Sequence, residues 1–254
     1  MIIRLDKYLA DTGFGTRSTV KQLVRKGSVQ IDGVTVKSSD LKVDTEKTVV
    51  TVNGKKVGYE AFEYYMLNKP AGVISASTDE REKTVVDIIS EKKRRDLFPV
   101  GRLDRDTVGL LLITNDGALS QKLLAPGKHV EKVYLVRVTG ELTDEDKRAF
   151  EEGLDIGDDK LTKPAGLEIK TIGMYSIEGQ HFVRSDAYDT ELVTEAEVTL
   201  TEGRFHQIKR MFEVRGHEVV YLKRLSMGSL KLDDSLAEGE YRKLTEEELT
   251  ELGG

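Results

Sequence analysis

The chain of 254 residues has no cysteine and no tryptophan, and only four prolines and four histidines. Without cysteine there are no disulfides and no thiolate metal centres. The histidines, His129, His181, His206 and His217, stand in no zinc-ligand spacing. No calcium-loop pattern occurs either, so no metal is expected. The stretch "GRLDRDTVG" has neither the spacing nor the Lys-Ser/Thr of a phosphate-binding loop, and no G-x-S-x-G elbow is present for a serine hydrolase. No apolar run approaches the ~18 residues of a membrane span, so no membrane partner is expected. The opening "MIIRLDKYLADTG" lacks the basic head and apolar core of a secretory leader, and a cytoplasmic home is the expectation.

What is there is a well-charged globular composition, 38% hydrophobic and 33% charged. A net charge of −6 argues at first against a nucleic-acid partner. Its distribution reverses that reading. Residues 1–56 carry 11 Lys and Arg against 6 Asp and Glu, and the remainder carries 28 against 39. A basic end on an acidic body is the electrostatic footprint of an RNA- or DNA-binding module.

The periodicity within that basic end predicts a compact unit. "RLDKYLAD" puts Leu5, Tyr8 and Leu9 on one helical face, and Gly13 and Gly15 break the helix. In "TRSTVKQLVRKG", Val20, Leu23 and Val24 form a second apolar face, while Arg17, Lys21 and Arg25 recur every four residues on another. "SVQIDGVTV" alternates around Asp32-Gly33, a tight-hairpin signal, and a second turn follows at Asn53-Gly54. A row of helical cations beside a hairpin suits contact with a phosphate backbone.

From residue 60 the pattern is mixed. Strands are expected near 62–67, 110–115, 132–139, 165–171, 194–201 and 218–223, and helices near 84–90, 118–124, 144–152, 205–214 and 246–252. They do not alternate as in a doubly wound sheet, so the expected class is α+β around a mostly antiparallel sheet.

Two stretches stand out chemically. In "GRLDRDTVGLLLITNDG", Asp104 and Asp106 precede a run that reads as a buried strand. Spacing alone leaves them as turn residues, as metal ligands, or as a nucleophile or base. In "LTEGRFHQIKRMF", Ile208, Met211 and Phe212 form an inward helix face, which does not explain why an acidic body concentrates Arg204, Lys209 and Arg210 there.

Taken in order, "NKPAG", "GRLDRDTVGLLLITNDG", "EKVYLV" and "EGRFHQIKRM" resemble the bacterial RNA pseudouridine synthases, and within them the branch acting on small-subunit ribosomal RNA. "RLDKYLA" and "TRSTVKQLVRKGSVQIDG" resemble the S4 RNA-binding domain that precedes the catalytic domain in that branch. The likeness runs to "GEYRKLTEEEL" and so covers nearly the whole chain. It implies an S4-like domain over 1–57, a catalytic domain over 60–254, and isomerisation of a uridine to pseudouridine with no cofactor. By resemblance the target is uridine 516 of 16S ribosomal RNA.

The resemblance also implies site roles. Asp104 falls on the catalytic aspartate, Tyr134 on the active-site tyrosine, and Lys209 on the cation that pairs with the aspartate. Many relatives carry arginine at that last position, and adjacent Arg210 is a second candidate. Arg102 corresponds to the arginine that helps displace the target base, and Leu222 to an apolar wall of the base pocket. Asp106 matches no catalytic position and is assigned to loop ordering. Arg17, Lys21 and Arg25 are expected to meet phosphates. The expected partner is ribosomal RNA or a subunit assembly intermediate, and the expected state a monomer. Competing readings are a large-subunit (23S) synthase, a non-catalytic assembly factor on the same scaffold, and a hydrolase using Asp104 with Asp106.

Overall fold

The computed structural model describes residues 1–178, 181–184 and 190–253. The last residue of the expected 60–254 unit lies outside them.

The basic segment folds as its pattern dictates. β1 (Ile2–Arg4) leads into α1 (Leu5–Asp11), and α2 (Arg17–Arg25) starts at Thr16, whose hydroxyl accepts the Thr19 N–H. β2 (Val29–Ile31) and β3 (Val34–Thr35) form the hairpin, β4 (Lys42–Asp44) pairs with β1, and β5 (Val50–Val52) and β6 (Lys55–Val57) complete the unit. The Asp32-Gly33 turn has φ of 49° and 82°, the left-handed pair that a two-residue hairpin loop of this twist needs. Leu5, Tyr8, Leu9, Val20, Val24 and Val50 are buried together in a core drawn from this segment alone. Arg17, Lys21 and Arg25 lie on the opposite, exposed face of α2.

This unit is held to the rest of the chain by Arg94, which is buried. Its guanidinium meets Asp11 of α1 at 3.3 Å and Asp96 at 2.6 Å, and lies 5.0 Å from the centroid of the Tyr59 ring. The bidentate fork of arginine lets one side chain tie both halves at once.

The larger part opens with β7 (Tyr64–Lys69), α3 (Val85–Ile88), β8 (Phe98–Pro99), β9 (Val108–Thr114) and α4 (Gly117–Leu124). It continues with β10 (Lys132–Thr139), α5 (Asp144–Glu152), β11 (Gly166–Glu178), β12 (His181–Arg184) and β13 (Glu191–Leu200). α6 (Gln207–Glu213), β14 (Val219–Met227), β15 (Leu230–Lys231), β16 (Tyr241–Lys243) and α7 (Glu246–Gly253) complete it. The sheet order is β12-β11-β13-β10-β14-β9-β7-β16. Among the described residues its ladders are antiparallel except β9–β14, where Lys223 faces Val108 and Arg224 faces Gly109.

All seven residues of β9 are buried, because one face packs under Tyr65, Leu67 and Phe212 and the other under Met66, Leu123 and Met227. β10 instead alternates buried with half-buried residues, the period-2 signature of "KVYLVRVT". The expected helices and strands are present; β11 runs on to Glu178, well past residue 171. No helix among the described residues is long and apolar enough to cross a membrane.

Candidate active site

The turn that feeds β9 is the centre of the site. Arg105 and Asp106 turn the chain sharply, with the Thr107 N–H donating to the Asp104 carbonyl at 3.2 Å. Ser75 and Leu103 brace the approach: the Leu103 N–H donates to the Ser75 hydroxyl at 3.0 Å, and that hydroxyl donates to the Leu103 carbonyl at 2.7 Å. Lys69, fully buried at the end of β7, holds the other side. Its ammonium donates to the carbonyls of Pro70, Arg105 and Thr107 at 3.1, 3.1 and 2.9 Å.

Asp104 projects from this braced turn into a cavity of about 790 Å³. Leu103, Tyr134, Leu222 and Ile208 give the cavity an apolar side, and Arg102 and Lys209 give it charge. Tyr134 and Leu222 come from the neighbouring strands β10 and β14 and are both more than nine-tenths buried. Arg102 is exposed at the rim. Two basic side chains face the Asp104 carboxylate: His206 Nε2 is 3.6 Å from Oδ1 and Lys209 Nζ is 3.7 Å from Oδ2.

Lys209 sits nearer to Asp106 than to Asp104. Its ammonium donates to both Asp106 oxygens, at 2.6 and 2.7 Å. Partial burial pushes the Asp106 carboxyl up, but the Lys209 hydrogen bond and charge outweigh it and hold the group below the usual carboxylate range. Because the shift is downward, this contribution to stability is present at neutral pH and is lost as pH falls through the lowered folded-state value. With Asp106 largely exposed, the pair adds little stability. What it does is fix the lysine: Asp106 anchors the ammonium so that it stands between the two carboxylates.

Arg210, expected as a second cation for this site, is not brought to it. Its guanidinium turns to the opposite side of α6 and donates to Asp158, to the Ile156 carbonyl and to the Phe205 carbonyl. Arg204 does similar work on the carbonyls of Lys160 and Leu161, at 2.7 and 2.6 Å. Two of the three clustered cations therefore fasten the loop at 156–161 to the start of α6, and Lys209 alone faces the aspartates.

Sequence reasoning missed His206, Phe205 and Lys69. His206 holds a left-handed backbone (φ 48°) at the start of α6, which is uncommon outside glycine, and its ring stacks on Phe205 at 3.8 Å. Phe205 is 73% exposed beside the cavity. An aromatic-histidine pair following Gly203 was the available signal. For Lys69 it was a lysine directly before a proline turn at the end of an otherwise buried strand.

Burial lowers Lys69 to about 8, against the opposing charges of Asp106, Asp104 and Glu238. Between that value and about 10.5 the unfolded chain binds the extra proton, so the burial cost falls as pH rises through this window. The turn itself loosens, since a neutral amine has two N–H groups for three carbonyls. The expected result is an alkaline fall in activity centred near pH 8 that disappears in Lys69→Arg, whose charge does not titrate. A rate–pH profile of the two proteins checks it; an identical limb in both would clear Lys69 of the effect.

A basic helix-and-hairpin unit and a mostly antiparallel sheet, with Asp104 facing basic groups in a cavity, fit an enzyme of α+β class that acts on RNA. Comparison with known proteins is specific. The RNA pseudouridylate synthase family model matches residues 63–214, and the S4 domain model matches residues 3–49. The chain belongs to the RNA pseudouridine synthases. It is 48% identical to an RNA pseudouridine synthase of Bacillus subtilis strain 168, YtzG, over 97% of each chain. It is 36% identical to the ribosomal small subunit pseudouridine synthase A of Escherichia coli K12, over 97% of this chain and 98% of that one. A crystal structure of a pseudouridylate synthase superposes with a TM-score of 0.64 at 34% identity, covering 98% of this chain and 99% of the other.

Proposed function

We propose that this enzyme isomerises one uridine of small-subunit ribosomal RNA, at the position the resemblance implies, uridine 516 of 16S RNA. The observation that carries the reading is Asp104, braced at the floor of a cavity with an apolar side and faced by His206 and Lys209. The relatives named for the small subunit, matching over nearly their full length, support the choice of RNA.

Uracil is inaccessible while stacked, so the nucleotide leaves its helix before reaction. Arg102, exposed at the rim, occupies the space the base vacates or holds its phosphate. The base enters against Tyr134 and Leu222. Asp104 sets negative charge against the ribose as the bond from C1′ to N1 breaks, and Lys209 holds its positive charge 3.7 Å from that carboxylate. The base turns, carbon 5 bonds to C1′, and the proton of carbon 5 is exchanged for one on N1. The reaction is redox-neutral, and this chain's own groups suffice for it.

Residues 1–57 serve as the docking domain and residues 60–254 as the catalytic domain. The substrate is the RNA or a subunit assembly intermediate, and the enzyme works as a cytoplasmic monomer. Docking draws on Arg17, Lys21 and Arg25, exposed in a row on α2. Replacing all three with glutamine should flatten the slope of log affinity against log salt by roughly 2–3, about one counterion per lost phosphate contact. An unchanged slope in filter-binding titrations would remove this helix from the RNA interface.

The direct test is tritium release from carbon 5 of labelled RNA. Release of one equivalent from small-subunit RNA, and none from large-subunit RNA, is the expected result; the opposite preference would move the target to 23S RNA. No release from any ribosomal RNA or assembly intermediate would favour an assembly factor.

A further inference from the structure

The cavity wall holds two more cations that the mechanism above does not use. Lys132, on β10, is 9% exposed, and Arg224, on β14, is 2% exposed. Both line the cavity. They flank Tyr134: Lys132 is two residues before it on the same strand, and Arg224 is its direct cross-strand neighbour. Each spends one donor on the backbone. Lys132 Nζ donates to the Val130 carbonyl at 2.8 Å, and Arg224 Nε donates to the Leu110 carbonyl at 2.7 Å. A lysine has three donors and an arginine five, so most of this capacity is unused. Arg224 Nη2 is buried without a partner. Among the described residues neither cation has a carboxylate in ion-pair range.

Folding alone does not favour this arrangement. Buried cations are normally paired, and two without a carboxylate repel one another. Burial lowers the pKa of Lys132, and the charge of Arg224 lowers it further. An anion arriving between them relieves both costs.

We propose that Lys132 and Arg224 stabilise the uracil anion released when the glycosidic bond breaks, by facing its carbonyl oxygens at the back of the cavity. The inference rests on the reading of the cavity as the uridine site. As N1–C1′ breaks, the electron pair stays with the base and spreads over N1, O2 and O4. The charge is consumed when carbon 5 bonds to C1′ and the proton balance is restored by loss from carbon 5 and gain at N1. The anion exists only between those events, so the two cations favour it over bound uridine and act on rate rather than affinity. A backbone phosphate is the other anion an RNA offers. Exposed Arg102 is the cation that suits a phosphate of the strand, whereas Lys132 and Arg224, more than nine-tenths out of solvent, suit a group that leaves the strand for the cavity.

The test is single-turnover isomerisation, with saturating RNA, on a uridine substrate and on one carrying 4-thiouridine at the target. Thiocarbonyl sulfur spreads negative charge better than oxygen, so the thio base leaves with less help. Lys132→Met should react about 100-fold slower than wild type with uridine and less than about 10-fold slower with 4-thiouridine. Its RNA affinity should stay within about threefold, and its melting temperature should be equal or higher, because an apolar side chain replaces a buried unpaired cation. Lys132→Arg should retain most of the rate. Lys132→Gln provides a second neutral variant with the same expected pattern. Equal slowing on both substrates, or lost affinity at an unchanged rate, would overturn the proposal; the latter result is that of a phosphate subsite. Neutral variants as fast as an active wild type overturn this inference alone. A wild type silent on both RNAs overturns the reading of the cavity and this inference with it.

Discussion

Asp104→Asn abolishes isomerisation while RNA affinity stays within about twofold. The substitution keeps the size of the side chain and its place on the braced turn, since the bonds that hold the turn come from the backbone, Ser75 and Lys69. What it removes is the negative charge between His206 and Lys209, which the proposed mechanism sets opposite the breaking bond. The expected loss is at least about 10³-fold in single-turnover rate, on the order of 4 kcal/mol of transition-state stabilisation. The proposed docking residues Arg17, Lys21 and Arg25 belong to α2 and do not line this cavity, so binding should be spared. Activity within about tenfold of wild type, only ~1.4 kcal/mol, would remove Asp104 from the chemistry.

Gly109→Ala is expected to have the largest effect on folding. Gly109 lies inside β9 at φ 99°, a backbone region L side chains rarely adopt, and faces Arg224 across the parallel ladder. A Cβ there would stand 2.8 Å from the Arg224 backbone nitrogen and nearer still to its carbonyl oxygen. Neither atom belongs to a flexible side chain, so β9 and β14 must part at the centre of the sheet. A loss of about 3–5 kcal/mol follows, at the upper end for one residue. In a chain of this size that is a fall of about 10 °C in melting temperature. Gly117→Ala is the control, since its Cβ would meet nothing within 4 Å at the start of α4. A melting temperature for Gly109→Ala within about 2 °C of wild type would show that the two strands yield without cost. β9 follows directly on the turn that carries Asp104, and β14 carries Leu222 and Arg224, so this glycine sits where the two cavity-lining segments approach each other.

Local features of the sequence translated well into structure. Asp32-Gly33 between alternating residues specifies a hairpin, and Ile31 indeed pairs with Val34. "KVYLVRVT" alternates and forms a half-buried strand, while "VGLLLIT" is apolar throughout and is buried on both faces. The mostly antiparallel sheet follows from the irregular succession of strands and helices. The parallel β9–β14 contact does not, because it joins residues more than a hundred positions apart and leaves no mark on local periodicity. The short strands β1, β4 and β16 are illegible for a similar reason: three residues are too few to show a period.

The site divides the same way. Residue types in ordered motifs indicated Asp104, Tyr134, Lys209, Arg102 and Leu222, and all five line one cavity. Where each charge points was beyond the motifs. Lys209 and Arg210 are adjacent in sequence, and helical geometry turns their side chains about 100° apart, one toward the aspartates and one toward Asp158. The buried cations Lys132 and Arg224 read in the sequence as ordinary charged residues on strands, since burial is set by which strands lie over them.

The central claim, that this chain converts a uridine of small-subunit ribosomal RNA through Asp104, is tested most directly by mapping pseudouridines in ribosomal RNA from cells lacking the gene. The strain should be complemented either with the wild-type chain or with Asp104→Asn. The account predicts that one pseudouridine disappears from the small-subunit RNA on deletion, returns with the wild-type chain and stays absent with Asp104→Asn. An unchanged map on deletion, or restoration of the missing pseudouridine by Asp104→Asn, would contradict it.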